Sequence, residues 1–250
     1  MLLESILTVI IINAIGLIWG YTQQSDKATD LFYSLSFIAL TGVLWSTQAD
    51  SLIHHLLLGM ILLWGFRLGS YLFKRIHAIG KDDRFDEMRK HFIRFAGFWS
   101  IQAVSVLILS IPILITFQKS NIEFGPIHLL GVGIWGLGLL IETLADQQKF
   151  AFRQNAANDG QFIQTGLWKQ LQHPNYFGEI LCWLGIFICA TPSLESWEWL
   201  SIVSPIWIAF LLIFVSGIPL LQKASKKKYG ALKSYQTYQK NTPLLIPFVY

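Results

Sequence analysis

Residues 166–185, GLWKQLQHPNYFGEILCWLG, set four polar side chains, His173, Asn175, Tyr176 and Glu179, at the mouth of an apolar run. Pro174 disfavours the α conformation at His173 and itself suits a first helical turn, which predicts a helix starting here. Asn175 and Glu179 then lie four apart on one face. A carboxylate one turn inside a membrane helix is costly unless it has a partner or faces a polar cavity. The question this stretch poses is what such a cavity holds.

Composition places the helix in a bilayer. Of 250 residues, 53% are hydrophobic and 14% charged, against about 25% charged in soluble proteins. This predicts an all-α polytopic membrane protein forming a single transmembrane domain over residues 1–250. Apolar runs of spanning length predict seven transmembrane helices, at about 2–20, 31–48, 52–73, 96–117, 126–145, 176–192 and 199–221. Pro205, Gly217 and Pro219 predict an irregular cytoplasmic end for the last. Cys182 and Cys189 stand seven apart on one helix, about 10 Å along its axis, too far for a disulfide; they read as small packing residues. The first apolar run has no Lys or Arg ahead of it and no small-residue cleavage site after it, so it reads as a retained helix.

Charge sets the orientation. Residues 74–94 hold seven Lys or Arg, 146–175 hold Lys149, Arg153 and Lys169, and the tail from Lys223 to Lys240 holds six lysines. The opposite loops hold only Lys119. By the positive-inside rule the N-terminus is outside and the C-terminus cytoplasmic. For a bacterial chain, helical spans of this kind imply the inner membrane.

Two further polar groups lie at membrane depth. Glu142, Asp146, Lys149 and Arg153 fall within about 60° of one another on a single helical stripe. An ion-pair ladder on a helix leaving the bilayer accounts for the last three, whereas Glu142 lies a turn deeper. Trp64, Arg67, Tyr71 and Lys74 share a face of the third span. There Arg67 either points into the bundle toward a partner or snorkels to the interface, with Trp64 and Tyr71 as belt aromatics. The basic, aromatic tail after Lys223 suits contact with anionic membrane lipids. A cavity lined by Arg67, Arg153, Asn175 and Lys223 would suit a large anionic cofactor with phosphates. No soluble nucleotide-binding motif is present, and neither a metal nor a nucleic-acid partner is expected.

Three blocks in order carry a resemblance: ETLADQQKFAFR (142–153), GLW with HPNYFGE (166–168 and 173–179), and SGIPLLQK with YQTYQKNTPLLIPF (216–223 and 235–248). Together with WGFRLGSYLFKR and GKDDRFDEMR (64–75 and 80–89) they make the chain, from about Asp30 to Pro247, resemble bacterial membrane proteins grouped with steroid 5-alpha-reductases. The resemblance implies a seven-helix bundle that binds NADPH from the cytosol. It further implies hydride delivery to the β-carbon of an enone in a sterol-like or isoprenoid lipid. It implies cofactor contacts for Asp146, Arg153, Asn175, Lys223 and Tyr238, and places Glu179 one turn beyond the asparagine. Arg67, Glu142 and Tyr176 are included with them. Glu142 replaces an asparagine, and an acid suits a ribose hydroxyl better than a phosphate, which bears on NADPH against NADH. At the carbonyl end, Trp64 stands where the family has a tyrosine, and the second span offers Gln48 and Asp50 in place of a Gln-Glu pair. An indole N–H is not a general acid. Tyr71 and Glu179 are therefore the catalytic candidates.

Two other readings remain beside the reductase. One is an S-adenosylmethionine-dependent methyltransferase of the isoprenylcysteine carboxyl type, which shares an HPxYxG helix start and a tyrosine-rich tail. The other is a non-enzymatic lipid-binding protein whose buried polar groups only fix helix packing.

Overall fold

A computed structural model describes residues 2–79, 88 and 90–247. Every regular element among them is helical: α1 (Leu2–Thr22), α2 (Thr29–Gln48), α3 (Leu52–Ile79), α4 (Phe92–Thr116), α5 (Pro126–Gln154), α6 (Pro174–Ala190), α7 (Val203–Phe210), α8 (Ile218–Tyr229) and α9 (Lys233–Asn241). Six stretches of the described residues are long and apolar enough to cross a membrane, and the protein is an integral membrane protein. α2, the remaining member of the expected seven, is a 20-residue helix that falls outside those six. Ser34, Ser36, Thr41, Ser46 and Thr47 interrupt its apolar sequence. Most of the GKDDRFDEMR stretch, 80–87 and 89, lies outside the described residues.

The chain forms two compact units. The first comprises Met1–Leu130 and Ile186–Ser204. Its core is built where apolar residues recur every three or four positions: Phe37, Leu40 and Leu44 on α2, Leu57, Ile61 and Trp64 on α3, and Val106, Leu109 and Ile113 on α4 are all buried. A polar chain crosses it. The Asn13 amide donates to Val9 O (2.9 Å) and to Ser36 Oγ (3.1 Å), and Gln102 Nε2 donates to Asn13 Oδ1 (3.2 Å). Such bonds tie apolar helices together where the hydrophobic effect between them is weak.

The second unit comprises Gly131–Gly185 and Pro205–Tyr250. The expected helix at 126–145 runs on to Gln154, and α6 starts at Pro174 as the proline predicts. The irregular last span takes a specific form. α7 passes into a π-helical turn, Leu211–Val215, the chain breaks at Gly217, and α8 restarts with Pro219 in its first turn. Cys182 and Cys189 are buried free thiols.

Candidate functional site

α5 and α6 meet backbone to backbone inside the second unit. A Cβ on Gly178 would lie 2.6 Å from both Glu142 N and Gly138 O, and one on Gly185 would lie 2.6 Å from Trp135 N. Only glycine permits this approach, which explains the glycine of HPNYFGE. Glu142 and Asp146, 2% and 5% exposed, are held on the α5 face that turns to this seam. On α6, Asn175 and Glu179 sit roughly 60° and 100° round the helix from Gly178. Asn175 Oδ1 is buried with no hydrogen-bond partner among the described residues.

The segment between the two helices folds back on α5. Gly166 takes the left-handed conformation (φ 60°), which turns Leu167 N toward Gln148 Oε1 (2.9 Å), and Trp168 Nε1 donates to Ala145 O (2.9 Å). The Trp168 ring, fixed in this way, receives the Lys149 ammonium 4.3 Å from its centroid. The tail then docks on the same segment. Gln172 Nε2 donates to Thr242 O (2.7 Å) and Gln239 O (3.0 Å), Gln172 N donates to Pro243 O (2.9 Å), and the Tyr238 hydroxyl donates to Trp168 O (2.6 Å). Phe162 packs between Tyr235 and Tyr238, with ring centroids 5.1 and 5.3 Å away.

These contacts enclose a cavity bounded by Lys149, Arg153, Gln172, His173, Tyr229 and Tyr238 among others. Its enclosed volume of about 110 Å³ is a few times the roughly 30 Å³ share of a liquid water. It suits one polar end of a ligand, such as a phosphate, beside two cations and a wall of aromatic rings.

His173 closes the cavity at the start of α6. It is buried, stacks on Tyr176 (5.5 Å, 10° between rings), and its Nδ1 has no hydrogen-bond partner among the described residues. Burial, reinforced by Lys149, pushes its imidazole down to about 3, so it is neutral at physiological pH. Because the folded value lies below the unfolded one, near 6.5, the unfolded state binds the extra proton. Stability is therefore lost as pH falls from 6.5 toward 3. The wild type should lose about 2 kcal/mol at pH 5 relative to pH 8 through this group. His173→Gln should flatten that part of the profile, as read by melting in detergent across pH.

The structure brings some of the expected site residues together and leaves others apart. Arg153 and Tyr238 line the one cavity, Glu142 lies against Gly178, and Asn175, Tyr176 and Glu179 occupy the first turns of α6. Tyr238 offers the cavity its ring, since its hydroxyl is engaged by Trp168. Lys223 is exposed on α8 and does not line the cavity; Gln222 and Ser225 do. Arg67 and Tyr71 belong to the first unit, with the guanidinium 5.6 Å from the Tyr71 ring. There Trp64 is buried edge-on against Phe37 (5.3 Å). Gln48 ends α2 and Asp50 precedes α3, Asp50 being 14 positions or about 21 Å from Trp64 along the chain direction. Lys149 and His173 also line the cavity.

This arrangement of an all-helical membrane protein with a cation-lined cavity can be set beside known proteins. The family model described as "Protein of unknown function (DUF1295)" matches residues 16–242, and the chain belongs to that family. The chain is also similar to curated steroid and sterol reductases. It is 29% identical over 125 residues to a 3-oxo-5-alpha-steroid 4-dehydrogenase 1 of Macaca fascicularis, covering 50% of this chain and 42% of that one. A steroid 5-alpha-reductase of Arabidopsis thaliana is 30% identical over 122 residues (48% and 41%). A delta(14)-sterol reductase of Saccharomyces cerevisiae is 30% identical over 146 residues (52% and 31%). The match thus spans less than half the length of these relatives. No solved structure gives a significant match.

Proposed function

We propose that this chain is an NADPH-dependent membrane reductase of a carbon–carbon double bond conjugated to a carbonyl, in a sterol-like or isoprenoid lipid. The observation that carries the reading is the α5–α6 site of the second unit. Lys149 and Arg153 flank an aromatic-walled cavity, and the buried Asn175 Oδ1 awaits a donor. The first pair fits phosphate, and the second fits a carboxamide N–H. Glu142 and Arg153, 11 positions apart, are separated by about 16 Å along α5, so one elongated ligand could run along the helix and use both ends. The similarity to steroid and sterol reductases supports the same reading.

Arg153 and Lys149 would hold the phosphates, with Lys223 adding charge at the approach. The Tyr238 ring shields them. Glu142 and Asp146 would accept from ribose hydroxyls and Asn175 would orient the carboxamide, while Tyr176, stacked on His173, fixes the entry of α6. When bound, NADPH supplies the hydride. Glu179 would position the reacting end, and the proton that completes the saturated bond would come from solvent. The site opens to the cytosol, with the N-terminus outside, the C-terminus inside, and the inner membrane as the compartment of a bacterial chain.

The test uses NADPH carrying deuterium at the transferable position and a panel of enone sterols and polyprenyl enones. Mass spectrometry should find a product with one deuterium from the cofactor and one proton from solvent across the former double bond. Absence of deuterated product from every enone, or methyl transfer from S-adenosylmethionine, would overturn the proposal.

A further inference from the structure

A second concave feature lies wholly in the first unit. The last turns of α1, the first turn of α2 and the last turns of α3 enclose a groove of about 450 Å³, within the roughly 300–1,000 Å³ of small-molecule sites. Its walls are apolar. Ile15 and Trp19 on α1, Leu31 on α2 and Phe73 on α3 line it, and each is between 41% and 54% exposed, as side chains facing lipid are. Its end is basic. Lys27, in the turn before α2, and His77, one helical turn beyond Phe73, are part of the lining with Ala28 and Phe32.

The acids nearby are otherwise placed. Asp26 is buried, and Asp30 pairs with Arg75 at 3.6 Å. Lys27 and His77 are both exposed, and Lys74 and Arg75 follow Phe73 in the sequence. His77 Nδ1 is bonded to Phe73 O (2.8 Å), which fixes the ring and directs its other nitrogen, Nε2, away from the helix backbone. An apolar trough that ends at the Lys27 ammonium matches an acyl chain continuous with an anionic headgroup. A zwitterionic lipid would present a competing cation to the same residues.

We infer that this groove is a binding site for one anionic phospholipid, its acyl chain along Trp19, Leu31 and Phe73 and its phosphate at the Lys27 ammonium, beside His77. The site is separate from the cavity beside Arg153, belongs to a different unit of the chain, and does not depend on the reductase reading.

The purified protein, in detergent micelles doped with either phosphatidylglycerol or phosphatidylcholine of identical chains, is examined by native mass spectrometry. One phosphatidylglycerol should be retained at least about five-fold more than phosphatidylcholine, the increment of one cation near a headgroup. The double variant Lys27→Gln/His77→Gln should lose that preference, whereas Lys27→Arg should keep it. Equal retention of the two lipids by the wild type, or an unchanged preference in the double variant, overturns the inference. A second measurement leaves the basic residues intact. A photo-crosslinking benzoylphenylalanine in place of Phe73 should capture phosphatidylglycerol preferentially, and the same probe in place of Leu63, 60% exposed elsewhere on α3, should capture both lipids alike. No difference between the two positions would equally overturn it.

Discussion

Gly178→Ala should lower the melting temperature of the purified protein by roughly 5–10 °C, while Gly133→Ala on α5 should leave it unchanged or raise it slightly. The substitution is the same, and the expected signs differ because the surroundings differ. A methyl group at 178 meets backbone atoms, Glu142 N and Gly138 O at 2.6 Å, which cannot rotate aside, whereas one at 133 meets nothing within 4 Å. Overpacking of this kind costs about 1–3 kcal/mol; Gly133→Ala gains helix propensity, roughly 0.5–1 kcal/mol. Gly178→Ala also moves Asn175 and Glu179 relative to Glu142, so it should impair ligand binding beyond its effect on stability. Melting curves of the two variants side by side check the claim; equal shifts would show that α5 and α6 do not need glycine where they cross.

Arg153→Ala should weaken NADPH binding roughly ten- to a hundred-fold, the loss expected for one charge-assisted contact. Lys149→Met should have a similar effect, because that ammonium is held over Trp168 at the cavity wall. Lys223→Ala should cost only a few-fold, since Lys223 is exposed and outside the cavity lining. Tyr238→Phe separates two roles of the tail. It keeps the ring and deletes the bond to Trp168 O, so it should loosen the docked tail and lower stability more than affinity. Isothermal titration with NADPH on the four variants distinguishes these outcomes.

The helices were legible because bilayer physics leaves a strong trace. Long apolar runs located the spans, and Pro174 located the start of α6 to the residue. The stripe Glu142–Arg153 was also readable, since helical spacing alone puts four charges on one face. Its burial gradient was not: the helix continues to Gln154, and the segment folding back over it covers Lys149 while leaving Arg153 at the rim. His173 read as helix entry because nothing local shows that Gln172 anchors the tail through backbone carbonyls. Those bonds join residues about 70 positions apart and depend on no side-chain pattern in the tail. Lys223 illustrates a different obstacle. The π-helical turn and the break at Gly217 reset the helical phase, so the face that α8 presents to the cavity could not be counted from the preceding span. Gly178 stood in a recognisable motif, yet its reason, a backbone in contact with Glu142, appears only when the partner helix is seen.

The measurement bearing most directly on the central claim is the melting temperature of the detergent-purified wild type with about 1 mM NADPH or S-adenosylmethionine, compared with Arg153→Ala. At a ligand concentration 100-fold above Kd, linkage stabilises the bound state by about 2.7 kcal/mol. NADPH should raise the wild-type melting temperature by several degrees, S-adenosylmethionine should leave it unchanged, and Arg153→Ala should cut the NADPH shift by about half or more. No shift with NADPH, or the same shift in Arg153→Ala, would contradict a cofactor site built on α5 and α6.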